Sequence, residues 1–184
     1  QVHWAQTTEE ANSIVLNIAR KADAKLAVKG KSMVSEEMEL NHFLAENGIE
    51  ALESDLGEYI IQVDHELPSH IIMPAIHKNR EEISEVFQKK VAPAKKSDTA
   101  EEMTETARQV LRDKFRRAEL GISGVNFAVA ETGTLCLVEN EGNGRFCTTM
   151  PRVHIALMGI EKVVGKLEDL PPLLTVLTRP ATGQ

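Results

Sequence analysis

Apolar residues along the chain fall into two alternating rhythms, one of period near 3.6 and one of short unbroken runs, and these predict helices alternating with strands. Thr7-Thr8-Glu9-Glu10 has the spacing of a capping box, with Thr7 as cap and Glu10 at the third helical position. Ala11, Ile14, Val15, Ile18 and Ala19 then recur at helical spacing, so one helix face is buried. Leu26-Ala27-Val28 reads as a short strand running into a strand-to-helix turn, Lys29-Gly30-Lys31-Ser32-Met33-Val34-Ser35-Glu36-Glu37. Ser35 is the expected cap there, Glu36 and Glu37 suit the positive end of the helix dipole, and Leu40, Phe43 and Leu44 form the inner stripe. Gly48 stands where a left-handed residue ends a helix.

Residues 49–52 form the second expected strand. Asp55 with Glu58 reads as another capping box, followed by Tyr59, Ile60 and Val63 on one helical face. His70-Ile71-Ile72-Met73 reads as a third strand closed by Pro74, and Asn79 with Glu82 caps a helix using Ile83, Val86 and Phe87. The lysine-rich residues 89–96 read as a solvated, mobile connector. Asp98 with Glu101 is the expected cap of the longest helix, in which Met103, Ala107, Val110, Leu111 and Phe115 keep the helical period. Residues 153–158 complete the strands, and residues 167–177 form a helix entered through Pro171-Pro172.

Between these lies the stretch 121–151, GISGVNFAVAETGTLCLVENEGNGRFCTTMP, around which the chain is organised. Residues 125–130 are an apolar run, Glu131-Thr132-Gly133-Thr134 interrupts it, and residues 135–138 resume it. Glu139-Asn140-Glu141-Gly142-Asn143-Gly144 is a turn by composition. The layout is that of a hairpin whose polar breaks carry chemistry. An unpaired carboxylate costs several kcal/mol to bury, so Glu131 is either a working group or a cap on backbone amides at a bend. The expected architecture is one α/β domain over residues 1–184, a mostly parallel sheet with helices on both faces and an antiparallel hairpin element.

Composition narrows the functions. Lys and Arg number 21 against 28 Asp and Glu, a net charge of −7, which excludes general attraction to nucleic acid or anionic membrane. No apolar run approaches the roughly 20 residues of a spanning helix. The two cysteines, Cys136 and Cys147, form no CxxC and offer no iron–sulfur or structural zinc signature; they suit free thiols in a reducing cytoplasm. His65, His70, His77 and His154 could include a base, but none has metal-ligand spacing. The chain begins at Gln1 and is expected to be a piece of something longer.

In parallel sheets ligands lie beyond the carboxyl ends of strands. Two polar elements qualify, and they are expected to meet in one pocket. Lys31, Ser32 and Met33 would bind an anionic group, with a capped turn and an exposed lysine as the plain alternative. The spacing of this turn matches neither a Walker loop nor GxGxxG. Glu131 would orient the ligand or take a proton as the catalytic group, Thr132 and Thr134 would donate hydrogen bonds, and Gly133 would admit the ligand closely. Asn143 and Arg145 would close the rim, and a small carboxylate is the expected ligand. Arg152 is a further cation beside the hairpin.

Several longer motifs carry a resemblance. KSMVSEE at 31–37, DLGEYIIQ at 55–62, PSHII at 68–72, PAIHK at 74–78, FAVAETGT at 127–134, VENEGN at 138–143 and ATGQ at 181–184 resemble the lactate utilisation B proteins, the iron–sulfur subunit of the bacterial three-protein L-lactate oxidation system. The resemblance runs in order over nearly the whole chain. It implies the domain that the B and C proteins share, with a fold similar to the CoA-transferase and ribose-phosphate-isomerase group. It also implies a part in oxidising L-lactate to pyruvate, with the other subunits of the system as partners. Members of this type carry ferredoxin-like cysteine clusters beyond this domain, so iron–sulfur clusters are expected in the longer protein and no cofactor in these residues. The domain itself is then either a docking module or a small-molecule site for a carboxylate, acyl or sugar-phosphate group.

Overall fold

The computed structural model describes residues 1–70, 73–93 and 99–183. Its first helix, α1 (Thr8–Lys21), is capped by Thr7, whose hydroxyl accepts from the Glu10 amide, while Glu10 reaches back to the Gln6 amide. β1 (Leu26–Lys29) and β2 (Glu50–Glu53) pair in parallel, with Ala27 opposite Ala51 and Lys29 opposite Glu53. β3 (Leu120–Gly124) pairs with the other side of β1, and β6 (Val153–Leu157) pairs with β3. All three pairings are parallel, giving a four-stranded sheet in the order β2-β1-β3-β6.

Side chains alternate across that sheet and sort its core into two layers. Ala27, Ala51, Leu120, Ile122 and Ile155 meet α1, α2 (Met33–Glu37) with the Met38 that follows it, and α3 (Leu40–Glu46) through Val15, Leu16, Ala19, Val34, Met38, Leu40 and Leu44. Leu26, Val28 and Leu52 face the other way. They pack on Tyr59 of α4 (Leu56–Asp64), Phe115 of α6 (Ala100–Arg117) and Cys147 of α7 (Asn143–Thr149). A third cluster, Ile60, Phe87, Met103 and Ala107, joins α4, α5 (Arg80–Val86) and α6. A second, smaller sheet is mixed: β4 (Phe127–Val129) runs antiparallel to β5 (Thr134–Cys136) and parallel to β7 (Val163–Val164). The final helix, α8 (Leu170–Thr182), begins with Pro171 and Pro172 in its first turn, after a 3-10 turn at Leu167–Asp169. The molecule is thus α/β, a parallel sheet covered by helices on both faces with a small mixed sheet beside it.

Several local expectations are corrected. Ser32 caps α2, not Ser35, and Glu39 at φ 49° breaks the expected single helix into α2 and α3. Asp55 precedes α4 without capping it, because its carboxylate is engaged elsewhere. The box before α6 is Thr99 with Glu102, one residue after the expected pair. Lys89–Val91 belongs not to a loop but to a π-helical turn, Phe87–Val91, that continues α5. Residues 94–98 of the expected connector, and Ile71 and Ile72 of the expected third strand, lie outside the described residues. The glycine-rich turn at 139–144 ends in α7, which periodicity does not indicate.

α7 lies close against β3 because Gly121 has no side chain. A Cβ there would fall 1.9 Å from the Cys147 carbonyl oxygen.

Candidate functional site

A cleft of about 570 Å3 opens where β1, β2 and β3 end. Sheet order reverses between β1 and β3, since the chain goes from β1 outward to β2 and then back to β3 on the other side. Such switch points are where open parallel sheets hold ligands. Gly30 leaves β1 with its amide bonded to the Ile122 carbonyl at 3.0 Å. The segment through Lys31, Ser32 and Met33 then forms one wall, and Ser123 to Asn126 form the floor. Leu135, Leu137 and Val138, from β5 and the segment after it, make an apolar wall. Asn143, Arg145 and Thr148 of α7 also line the cleft.

Of the residues expected from sequence, Lys31, Ser32, Met33, Asn143 and Arg145 come together here. Glu131, Thr132, Gly133 and Thr134 do not. They form the exposed tip of the β4–β5 hairpin, closed by a Gly133 amide to Val129 carbonyl bond of 2.8 Å, with Gly133 at φ 69°. Thr132 and Thr134 bond each other at 2.8 Å. Glu131 is exposed, not buried; it accepts from the Leu167 amide at 3.3 Å and lines a separate shallow hollow with Lys166, Leu167 and Glu168. Arg152 is exposed and does not line the cleft. The physical reason is sheet membership. β4 pairs with β5 and β7 in the smaller sheet, and Glu131 to Gly133 form the turn between β4 and β5, apart from the parallel sheet whose strand ends make the cleft.

Asp55 takes a place that sequence reading missed. One oxygen, Oδ2, accepts from the Lys31 amide at 3.0 Å and from Asn143 Nδ2 at 2.9 Å. The same Asn143 amide group donates to Ser54 Oγ at 3.0 Å, and Ser54 in turn donates to the Lys29 carbonyl at 2.8 Å. One acid therefore ties the β1 loop, the end of β2 and the start of α7 together. Glu139 does similar work, accepting from the Arg145 amide at 2.8 Å, with the Arg145 guanidinium 3.4 Å away. The available clue is Asp55's position just after a buried strand.

Beneath the Lys31 loop lies a buried ionic layer. Lys29, 1 % exposed, meets Glu53 Oε1 at 2.7 Å and donates to Ser35 Oγ at 2.9 Å. Ser35 donates to the Ser32 carbonyl at 2.7 Å, so the layer braces the cleft loop directly. Asn41 donates to Glu53 Oε1 at 2.7 Å, while Glu53 Oε2 and Asn41 Oδ1 are buried without a protein partner.

Nearby Glu58 is buried, and burial, with Glu53 and Glu36 adding repulsion, pushes its carboxyl up to about 7; Lys31 and Lys29 oppose the rise. The folded chain thus holds a proton that the unfolded chain surrenders near 4.5. Stability must fall as pH rises between those values, and the penalty is complete above 7. Glu58→Gln removes it. Against wild type, the variant should gain up to about 3 kcal/mol at pH 8 and almost nothing at pH 4 in urea melts. A gain independent of pH would contradict this account.

Among the described residues no group of three or more His, Cys, Asp and Glu side chains is placed to hold a metal ion, and no helix is long and apolar enough to cross a membrane. Both cysteines are free thiols.

The family model of the LUD domain matches residues 1–184. Lactate utilization protein B of Bacillus pumilus is 51 % identical over all of this chain and 39 % of its own length. Its namesakes in Bacillus thuringiensis and Bacillus cereus are 52 % identical over 183 residues, which is 38 % of their length. The chain therefore spans under two fifths of the curated relatives it matches. No solved structure matches it significantly.

Proposed function

The chain belongs to the LUD domain family, and on that premise we propose that it is the ligand-binding domain of a longer lactate-utilisation protein, holding an organic anion in the cleft at the ends of β1, β2 and β3. The observation that carries this reading is the cleft's charge. In a chain of net charge −7 its lining has three cations, Lys31, Arg145 and Lys162, against two acids. Both acids are already engaged by amide donors: Asp55 by Lys31 and Asn143, Glu139 by Arg145. The lining therefore keeps an excess of one positive charge even with the Arg145 guanidinium 3.4 Å from Glu139, and the apolar wall of Leu135, Leu137 and Val138 suits a carbon body.

The relatives' name supports a part in lactate utilisation. Oxidation of L-lactate to pyruvate, transfer of electrons through iron–sulfur clusters, other subunits as partners and work in the cytoplasm are proposed for the longer protein. This domain would supply binding to it and carry no cluster of its own. The cleft volume of about 570 Å3 lies within the range for cofactor-sized ligands and far exceeds a three-carbon acid. That favours a larger anion, of the acyl-thioester or sugar-phosphate class, over lactate alone. It also agrees with a fold related to the CoA-transferase group.

Thermal shift with L-lactate, pyruvate, acetyl-CoA and ribose 5-phosphate tests the reading. One of the larger anions should raise Tm, by the equivalent of about 2.7 kcal/mol at a hundredfold excess over Kd. Arg145→Ala and Lys31→Ala should each cut the shift, measured from each variant's own unliganded Tm. A shift untouched by both substitutions, or none with any compound, would remove the cleft as the binding site.

A further inference from the structure

Ser123 and His154 stand 31 residues apart in the chain and meet through the sheet. Gly121 of β3 is paired with His154 of β6, so Ser123, two residues further along β3, presents its side chain on the same face as the imidazole. Ser123 Oγ and His154 Nε2 are 2.8 Å apart. Ser123 lies on the cleft floor, next to Gly124, and Thr148 of α7 lines the same cavity. His154 is half-buried, and desolvation lowers its pKa, so the ring is neutral at pH 7. With its proton on Nδ1, Nε2 is the acceptor and the serine hydroxyl the donor. A hydroxyl only needing a hydrogen-bond partner could have used a backbone carbonyl, as Ser54 does with Lys29 and Thr106 does with Glu102. Here it is joined instead to a neutral base, while the serine itself lines a ligand-sized cavity, the arrangement from which serine nucleophiles work.

We propose that Ser123 is a nucleophile and His154 its general base, acting on an acyl thioester or ester bound in the cleft. The inference rests on the reading of the cleft as an anion-binding site and names the chemistry done there. Ser123 Oγ bonds to the acyl carbon as the carbon–sulfur or carbon–oxygen bond of the donor breaks. The serine proton passes to His154 Nε2 and on to the departing thiolate or alkoxide. In the second half the acyl group moves from Ser123 to water or an acceptor thiol, whose proton restores the serine hydroxyl through the same ring. No electrons change hands, so no oxidant is required. Lys31 and Arg145 hold the anionic part of the donor. Among the described residues Ser123 is the hydrogen-bond partner of His154, so the unit is a dyad without a carboxylate behind the ring.

The test is p-nitrophenyl butyrate added to the 184-residue chain, with p-nitrophenolate release followed and the adduct mapped by mass spectrometry. A burst is expected, with one butyryl group on the peptide holding Ser123. Ser123→Ala should abolish the burst. His154→Gln should slow it by about 100-fold or more, and the wild-type rate should climb with pH across the acid range, below the ordinary imidazole value, as the ring loses its proton. The same proteins are taken through the anion thermal-shift series. No butyryl group on Ser123 of the wild type, or a burst rate that His154→Gln leaves unchanged, would overturn the dyad. The adduct on wild-type Ser123 decides the matter even where a variant folds poorly. An anion shift that persists without acylation leaves the binding site standing and removes only this chemistry; acylation without any anion shift does the reverse.

Discussion

Lys29→Met should destabilise the domain by about 3–5 kcal/mol, the loss expected when one partner of a buried ion pair is taken away and the other is left charged. Lys29 ends the inner strand β1, buried, with Glu53 2.7 Å away, and Glu53 already has one oxygen without a protein partner. Removing the ammonium would leave the carboxylate without its counter-charge, with the Asn41 amide still donating to Oε1 and Oε2 still unpartnered. It would also release Ser35, whose hydroxyl holds the Ser32 carbonyl and, with it, the cleft loop. The comparison that isolates the effect is the double variant Lys29→Met with Glu53→Leu. Apolar replacement of a whole buried pair is often neutral or stabilising, so the double variant should recover most of the loss. Urea melts of the three proteins decide it. A single substitution costing under about 1 kcal/mol would show that water reaches the pair.

Gly121→Ala should cost about 3 kcal/mol, at the upper end for overpacking, because its methyl would collide with backbone and not with a side chain that can swing aside. The Cβ would lie 1.9 Å from the Cys147 carbonyl oxygen and 3.2 Å from Pro151 Cγ. Only a shift of α7 off β3 relieves both contacts. Since α7 carries Asn143, Arg145 and Thr148, the variant should also lose the ligand-induced Tm shift. Gly48→Ala is the control. Gly48 stands at φ 76° with nothing within 4 Å of the place an added methyl would take, so the substitution should cost backbone strain and leave ligand binding intact. Equal effects on binding from the two substitutions would refute the packing argument.

Much of this fold can be read from the chain because each element announces itself locally. Leu26-Ala27-Val28 is apolar throughout, as a strand covered on both faces must be, and the face of α1 repeats at helical spacing. Gly30 to Met33 is recognisable as a cleft wall because a turn between a buried strand and a helix has few other places to be. What stays hidden depends on neighbours distant in sequence. Asp55 with Glu58 is the same string whether the aspartate caps its helix or turns to bond Lys31 and Asn143. Lys29 looks like the solvated end of a strand until β1 and β2 are set in register and Glu53 appears opposite. Glu131 is expected at the cleft because an acid between apolar runs signals burial. That pattern cannot tell which sheet a strand joins, and β4 joins the smaller one. Ser123 and His154 carry no shared motif at all; only the adjacency of β3 and β6 unites them.

The burial of Cys147 gives the molecule a built-in clock. Cys136 on β5 is partly exposed, whereas Cys147 is sealed between α7 and the sheet, with its thiol pushed up to about 11 by burial. A thiol-specific reagent in neutral solution therefore meets one sulfur in the closed molecule and two only when α7 lifts away. The slow second modification counts those liftings and so records how often the α7 wall of the cleft stands open. On the proposed reading, a ligand gripping Asn143 and Arg145 would hold that wall down, and occupancy of the cleft would then be written into the chemistry of a cysteine outside its lining.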